Sequence, residues 1–248
     1  GPSRDMKAYD MLVQAETGLA SITGSPEAPG RVGVSVCDIA AGMHAYEAIL
    51  LALIQRGVSG EGASLSCSLF DGMADWMNVP LMHHLHGPGA PGRSGLSHAM
   101  IAPYGAYPVG AGGRIVIAIQ NEREWARFCA QVLGDAALAQ DSRFCSNALR
   151  IANRGEMDAL IAAAFAAHDA ESLGALLLKA GIAFGRLNEV ADLAAHAQLR
   201  RMTVASPTGP VEIIAPPAQF ASDTGGLGAV PALGEHSDAI RAEFADGG

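Results

Sequence analysis

Several common classes of protein are argued against by what this sequence lacks. It has no cluster of Lys and Arg, and its 248 residues carry a formal net charge of −9. A phosphate backbone is gripped by clustered cations, so this balance argues against nucleic acid as the main partner. A small anionic ligand needs only a local positive site and stays open. No apolar run reads as long enough to span a bilayer without charges, so no membrane partner is expected. The longest candidate, Ile49 to Ile54, is expected to be a short buried helical stretch. No signal-peptide pattern opens the chain. The first residue is not Met, so the opening residues are expected to be an added leader, or the sequence a piece of something longer. The four cysteines, Cys37, Cys67, Cys129 and Cys145, form no CxxC pair. They read as reduced core thiols of a cytoplasmic protein. Walker, G-x-S-x-G and H-E-x-x-H motifs are all missing, and there is no internal repeat.

What is present is an alternation of helical and strand patterns, long enough to bury a sizeable core in one large domain or two smaller ones. Tyr9 to Leu19 predicts a helix with Met11, Leu12, Ala15 and Leu19 on one side. Val32, Val34 and Val36 alternate and predict a short strand. The strongest periodicity is Ile39 to Arg56, where Ile39, Met43, Tyr46, Leu50 and Leu53 share a face, Asp38 takes the N-cap position and Gly57 ends the helix. Leu65, Cys67 and Leu69 predict a further strand, and Asp71 opens a helix to about Met82. His83 to Leu96 reads as loop. Arg114 to Gln120 reads as a central strand. Asn121 caps the following helix with Glu124 in the capping-box position, and Trp125, Phe128, Cys129 and Val132 form its buried stripe. Short helices fill Asp141 to Arg201, a hairpin turns near Pro207 to Pro210, and a last helix lies within Leu233 to Phe244. The order is α/β with a helical insertion.

Few residues stand out for chemistry. A carboxylate at Asp38 has two readings that the pattern leaves open. It can cap the helix, or it can remain ionised in the positive field of the helix N-terminus and attack an electrophilic carbonyl. His83, His84 and His86 match no metal spacing and read as a solvated loop. His98 lies in a loop ahead of a strand and is the better ligand contact. The glycines of Gly110 to Gly113 precede a strand, so they read as a hairpin turn and not as a phosphate loop. Ser66 and Ser68 look structural, and Trp76 and Trp125 read as core.

The string VGVSVCDIAAGMHAYEAILLALIQRGVSGEGASLSCSLFDGMADWM, residues 32–77, resembles the central stretch of the class III coenzyme A transferase (CaiB/BaiF) family. KAYDMLVQAETGLASITG, DSRFCSNALRIANRGEMDALI, HAQLRRM and LGEHSDAI resemble its flanking landmarks. The resemblance implies a Rossmann-like large domain plus a smaller α+β domain, without the N-terminal nucleotide-binding portion. The large domain would continue through 1–90, the small domain would be 91–200, and 201–248 would return to the large domain. It implies an interlocked homodimer, so an isolated chain is expected to expose large apolar patches. It implies that Asp38 carries CoA as an aspartyl-CoA thioester, with CoA as a substrate and no metal or redox cofactor. Lys7, Ala8, Tyr9 and Asp10 match a CoA-contacting segment, and His98, Ala99, Gln120 and Asn121 match substrate-side positions. SHAMIAPYG, Ser97 to Gly105, stands where some members carry a glycine-rich loop over the active site, so the resemblance implies no flexible lid here. A related racemase uses a His where Tyr9 stands, and a phenol is no base at neutral pH. The wording is closest to transferases of small dicarboxylic acyl-CoAs such as mesaconyl-CoA, succinyl-CoA or citramalyl-CoA, with Arg93 as one partner for a free carboxylate. The other readings are a racemase-like isomerase and an incomplete chain acting only in assembly.

Overall fold

The computed structural model describes residues 1–110, 112–219, 221 and 227–245. In order, the elements are α1 (Asp10–Glu16), α2 (Leu19–Ile22), α3 (Val36–Ser59), α4 (Leu69–Trp76), α5 (Asn78–His86), β1 (Tyr104–Pro108), β2 (Arg114–Ala118), α6 (Glu122–Gln131), a 3₁₀ turn (Ala136–Gln140), α7 (Asn147–Ala152), α8 (Arg154–Phe165), α9 (Ala170–Lys179), β3 (Ala183–Arg186), α10 (Val190–Ala194), β4 (Arg201–Val204), β5 (Val211–Ile214) and α11 (Ser237–Glu243). Helix and strand are mixed throughout, as an α/β chain requires. Two compact units divide the chain, residues 1–187 and 188–248.

The first unit holds two cores. The smaller gathers Val13, Val36, Cys37, Ala40 and Met73 from α1, α3 and α4. The larger is built on the sheet β1-β2-β3, antiparallel throughout, with Tyr104 opposite Ala118 and Ile115 opposite Arg186. β2 is central, as its composition suggested, and Ile115 and Ile117 are fully buried on one face. α6 lays Trp125, Phe128, Cys129 and Val132 on this core, the stripe its spacing predicted. Asn121 caps it by accepting the Glu124 N–H at 3.0 Å. The reciprocal bond comes one residue early, from the Gln120 N–H to Glu124 Oε2 at 2.7 Å. The glycine turn joins β1 to β2. A Cβ at Gly110 would strike the Ala166 carbonyl, so only Gly lets the turn lie against the end of α8. Ala111, within that turn, lies outside the described residues.

Several sequence expectations need correction. The first helix stops at Glu16 and restarts at Leu19, because Gly18 takes a left-handed φ of 82°. Val13 and Gln14 are its buried residues, while Met11 and Leu12 face outward. Val32 and Val34 form no strand. Neither do Leu65 and Cys67, in a segment where Ser68 caps α4 by accepting the Asp71 N–H. α3 starts at Val36 and runs through Gly57 to a cap at Gly60. His83, His84 and His86 lie in the last turn of α5 and not in a loop, a place where the helix C-terminus favours basic groups. Trp76 is exposed, unlike the buried Trp125, and Cys67 and Cys145 are exposed while Cys37 and Cys129 are buried.

The largest departure concerns α3. Its apolar stripe, Ile39, Met43, Tyr46, Leu50 and Leu53, faces outward, with Met43 53 % and Tyr46 64 % exposed. Ile49 to Ile54, expected to be buried, is exposed too. By length and composition alone this helix could cross a membrane, a test that the helices of packed cores also pass. Periodicity specified a face to be covered, and the described residues leave it uncovered.

The second unit carries the hairpin β4-β5, with Arg201 opposite Ile214 and Val204 opposite Val211. Its turn falls within the predicted Pro207 to Pro210. α10 and α11 complete it.

Candidate active site

Asp38 is the third residue of α3, one place short of completing its first turn, and it is not the N-cap. Ser35 occupies that position and makes no side-chain cap bond. The cap arrives from another helix. Asp10, the first residue of α1, accepts the Cys37 backbone N–H on its Oδ1 at 2.9 Å. Its Oδ2 accepts the Gln14 amide N–H at 2.8 Å. Gln14 is fully buried, and its Oε1 accepts the Val32 N–H at 2.9 Å. This side chain therefore takes the backbone group that a strand at Val32 would have used. It ties α1, the segment before α3 and the α3 N-terminus into one network. Asp38 is left exposed in the positive field of a 24-residue helix.

The neighbouring thiol is inert. Burial, then the negative charge of Asp10, pushes Cys37 up to about 11, so it is protonated at neutral pH. Lys7, Ala8 and Tyr9 are exposed on the approach to α1, which Asp10 anchors to α3. The structure thus joins the segment 7–10 to the start of the helix that bears Asp38.

The other candidates form a second group. His98 and Ala99 lie in the loop before β1, and Gln120 and Asn121 follow β2. The Ile119 N–H donates to the Pro103 carbonyl at 3.0 Å, and the His98 N–H to the Tyr104 carbonyl at 2.8 Å. Both pairs therefore sit at one end of the β1-β2 hairpin. Among the described residues no hydrogen bond joins this group to Asp10 or Asp38. Arg93 is neither a free cation nor solvated loop. Its guanidinium donates to the carbonyls of Ser25, Ser21 and Pro26 at 2.9, 3.3 and 3.1 Å, which ties its loop to α2 and the turn that follows.

Sequence reasoning missed the cluster beneath the second group. Arg150 is 1 % exposed and lies 5.0 Å above the Trp125 ring. It donates to Glu122 at 2.6 Å and to the carbonyls of Ala102 and Phe144 at 2.6 and 3.0 Å. The Arg150 guanidinium in turn holds the Glu122 carboxyl below the usual range. No signal in the sequence separates this Arg from a solvated one, because its partner stands 28 residues away. Among the described residues no group of three or more His, Cys, Asp or Glu side chains could hold a metal. A shallow apolar groove in the second unit, lined by Val190, Leu193, Ile213 and Ile214 among others, contains none of the candidate residues.

An exposed carboxylate at the positive end of a long helix is able to attack an electrophilic carbonyl. Comparison with known proteins gives a matching class. Residues 1–237 match the model of CoA-transferase family III, and the chain belongs to that family. It is 34 % identical over 262 residues to an acyl-CoA transferase of Fusarium pseudograminearum, covering 98 % of this chain and 55 % of that protein. It is 36 % identical over 162 residues to the succinate–glutarate CoA-transferase of Agrobacterium fabrum, covering 65 % of this chain and 40 % of that one. The crystal structure of a CaiB/BaiF family protein from Brucella suis superposes with a TM-score of 0.80 at 34 % identity, covering 98 % of this chain and 65 % of the other. The fold is therefore that of the class III CoA transferases. The chain spans between two fifths and two thirds of the length of these relatives.

Proposed function

We propose that this chain takes part in moving CoA between an acyl-CoA and a small dicarboxylic acid, with Asp38 as the nucleophile. The observation that carries the reading is the placement of Asp38, exposed in the first turn of α3, which Asp10 caps from outside. In the first step the Asp38 carboxylate attacks the thioester carbonyl and the C–S bond breaks, giving a mixed anhydride and CoA thiolate. The thiolate attacks the Asp38 carbonyl and releases the donor acid, leaving an aspartyl-CoA thioester. The acceptor carboxylate attacks that thioester and frees the thiolate again. Attack of the thiolate on the acceptor's acyl carbon gives the new acyl-CoA and restores Asp38. Each step exchanges one acyl bond for another, with no net proton, metal or redox change. Backbone N–H groups at the α3 N-terminus stabilise the developing oxyanions.

Dicarboxylates are the substrate class because a relative at 36 % identity is named for succinate and glutarate. Mesaconate and citramalate belong to the same chemical class. On this reading residues 1–90 carry the nucleophile and the CoA contacts at Lys7, Ala8, Tyr9 and Asp10. Residues 91–200 carry the acceptor side, and 201–248 return to the large domain. The exposed stripe of α3 supports assembly as a homodimer, and four free thiols suit the cytoplasm. The direct test is exchange of label from isotopic glutarate into the CoA ester pool, with succinyl-CoA as donor. Exchange that is lost in Asp38→Asn supports the reading, and undiminished exchange in that variant refutes it.

A further inference from the structure

The loop from His98 to Ala102 belongs to no helix or strand, yet three side chains hold five of its backbone groups. Asn147 Oδ1 accepts the Ala102 N–H at 3.0 Å, and its Nδ2 donates to the Met100 carbonyl at 3.0 Å. Arg150 Nε donates to the Ala102 carbonyl at 2.6 Å. Arg154 Nη2 donates to the carbonyls of His98 and Ile101 at 2.8 and 3.3 Å. All three side chains come from the stretch 147–154.

Within the loop the His98 ring is fixed as well. It stacks on Tyr104 with ring centres 5.2 Å apart and planes at 18°. Its Nδ1 accepts the Met100 N–H at 3.1 Å, so the neutral ring carries its proton on Nε2. His98 is exposed and offers that one N–H as a donor. The holding residues divide by role. Arg150 is buried and bound to Glu122, Phe144 and Trp125, so it belongs to the core. Arg154 bonds through Nη2, while its Nη1 is buried and unpaired among the described residues. Both of the Arg154 hydrogen bonds go to the loop.

We propose that Arg154, with Asn147, is a positioning residue that fixes the 98–102 loop so that the His98 Nε2–H meets a carboxylate of the acceptor acid. This rests on the transferase reading and deepens it. The loop is a side-chain-anchored wall, and acceptor selection depends on anchors that never touch the acid.

The test uses the full chain with succinyl-CoA and glutarate, comparing Arg154→Ala, Arg154→Lys and Asn147→Ala with the parent. Loss of both charge-assisted bonds to the loop predicts a KM for glutarate raised about tenfold or more in Arg154→Ala. The KM for succinyl-CoA should stay within about twofold. Arg154→Lys, which keeps one donor, should fall between parent and Ala. Amide exchange at residues 98–102 should quicken in the same order. A glutarate KM unchanged in an active Arg154→Ala overturns the proposal, as does a parallel rise in both KM values. If Arg154→Ala does not fold, Arg154→Lys decides alone by the same split. A parent without any transfer would overturn the transferase reading itself and take this proposal with it.

Discussion

Asp10 accepts the backbone N–H of Cys37 at 2.9 Å, so the helix bearing Asp38 is capped by a residue 27 positions upstream. A borrowed cap frees Asp38 from the role its sequence position suggested. One carboxylate satisfies the helix end while the other stays exposed in the same dipole field.

That division of labour sets the first prediction. Asp10→Ala removes the acceptor for the Cys37 N–H and one of Gln14's partners, and should cost about 1–2 kcal/mol. Asp10→Asn keeps an acceptor but turns an NH₂ toward the Gln14 donor, and should fall in between. Asp38→Ala loses only a dipole interaction, about 0.3–1 kcal/mol. Urea midpoints at constant slope measure all three. If Asp38→Ala proves the costliest, the capping assignment is wrong.

The thiols give a second prediction. Burial pushes Cys129 up to about 12 and, with the Asp10 charge, Cys37 up to about 11. Cys67 and Cys145 are exposed. At about pH 8 iodoacetamide should add two labels to the folded chain and four in denaturant, because the thiolate is the reactive form. Labelling of Cys37 in the folded state, read by peptide mass, would show that the α3 N-terminus is open.

A third prediction concerns acid stability. The Arg150 guanidinium lowers the folded-state pKa of Glu122 below its ordinary 4.5. The unfolded chain therefore takes up the proton first as pH falls. The stabilisation is fully present above that ordinary value and disappears as pH drops through the lower folded one. Glu122→Gln should be less stable than the parent at neutral pH and should lose less between about pH 5 and pH 3. Identical acid limbs in the two proteins would remove Glu122 from the account. Arg150→Ala should be more damaging, about 2–5 kcal/mol, since it leaves a cavity under Trp125 and unpairs the carbonyls of Ala102 and Phe144.

These relationships also show how far the sequence could be read. α6 was legible because its cap and stripe are local: Asn121, Glu124, Trp125 and Phe128 lie within one helix. The β1-β2 turn was legible because glycines stand where the chain reverses. Val32, Val34 and Val36 misled because alternation describes a strand's faces and cannot supply its partner. Here Gln14 takes the backbone of Val32 instead. α3 was found but its environment was not, since periodicity does not say what covers a face. The place of Asp38 at the start of α3 was legible, although the cap belongs to Asp10. Arg93, Arg150 and Arg154 were opaque because all their hydrogen-bond partners but the Phe144 carbonyl stand 28 to 72 residues away.

On the transferase reading Asp38 becomes covalently bonded to CoA. The most direct measurement is mass spectrometry of the chain, and of a version extended at its N-terminus, after succinyl-CoA and then hydroxylamine. A hydroxamate should form at Asp38 only when the acyl-CoA is present and should be absent from Asp38→Asn. Asp38 unlabelled in both versions, with succinyl-CoA and again with mesaconyl-CoA, would contradict it and leave Asp38 an exposed acid at the end of a helix.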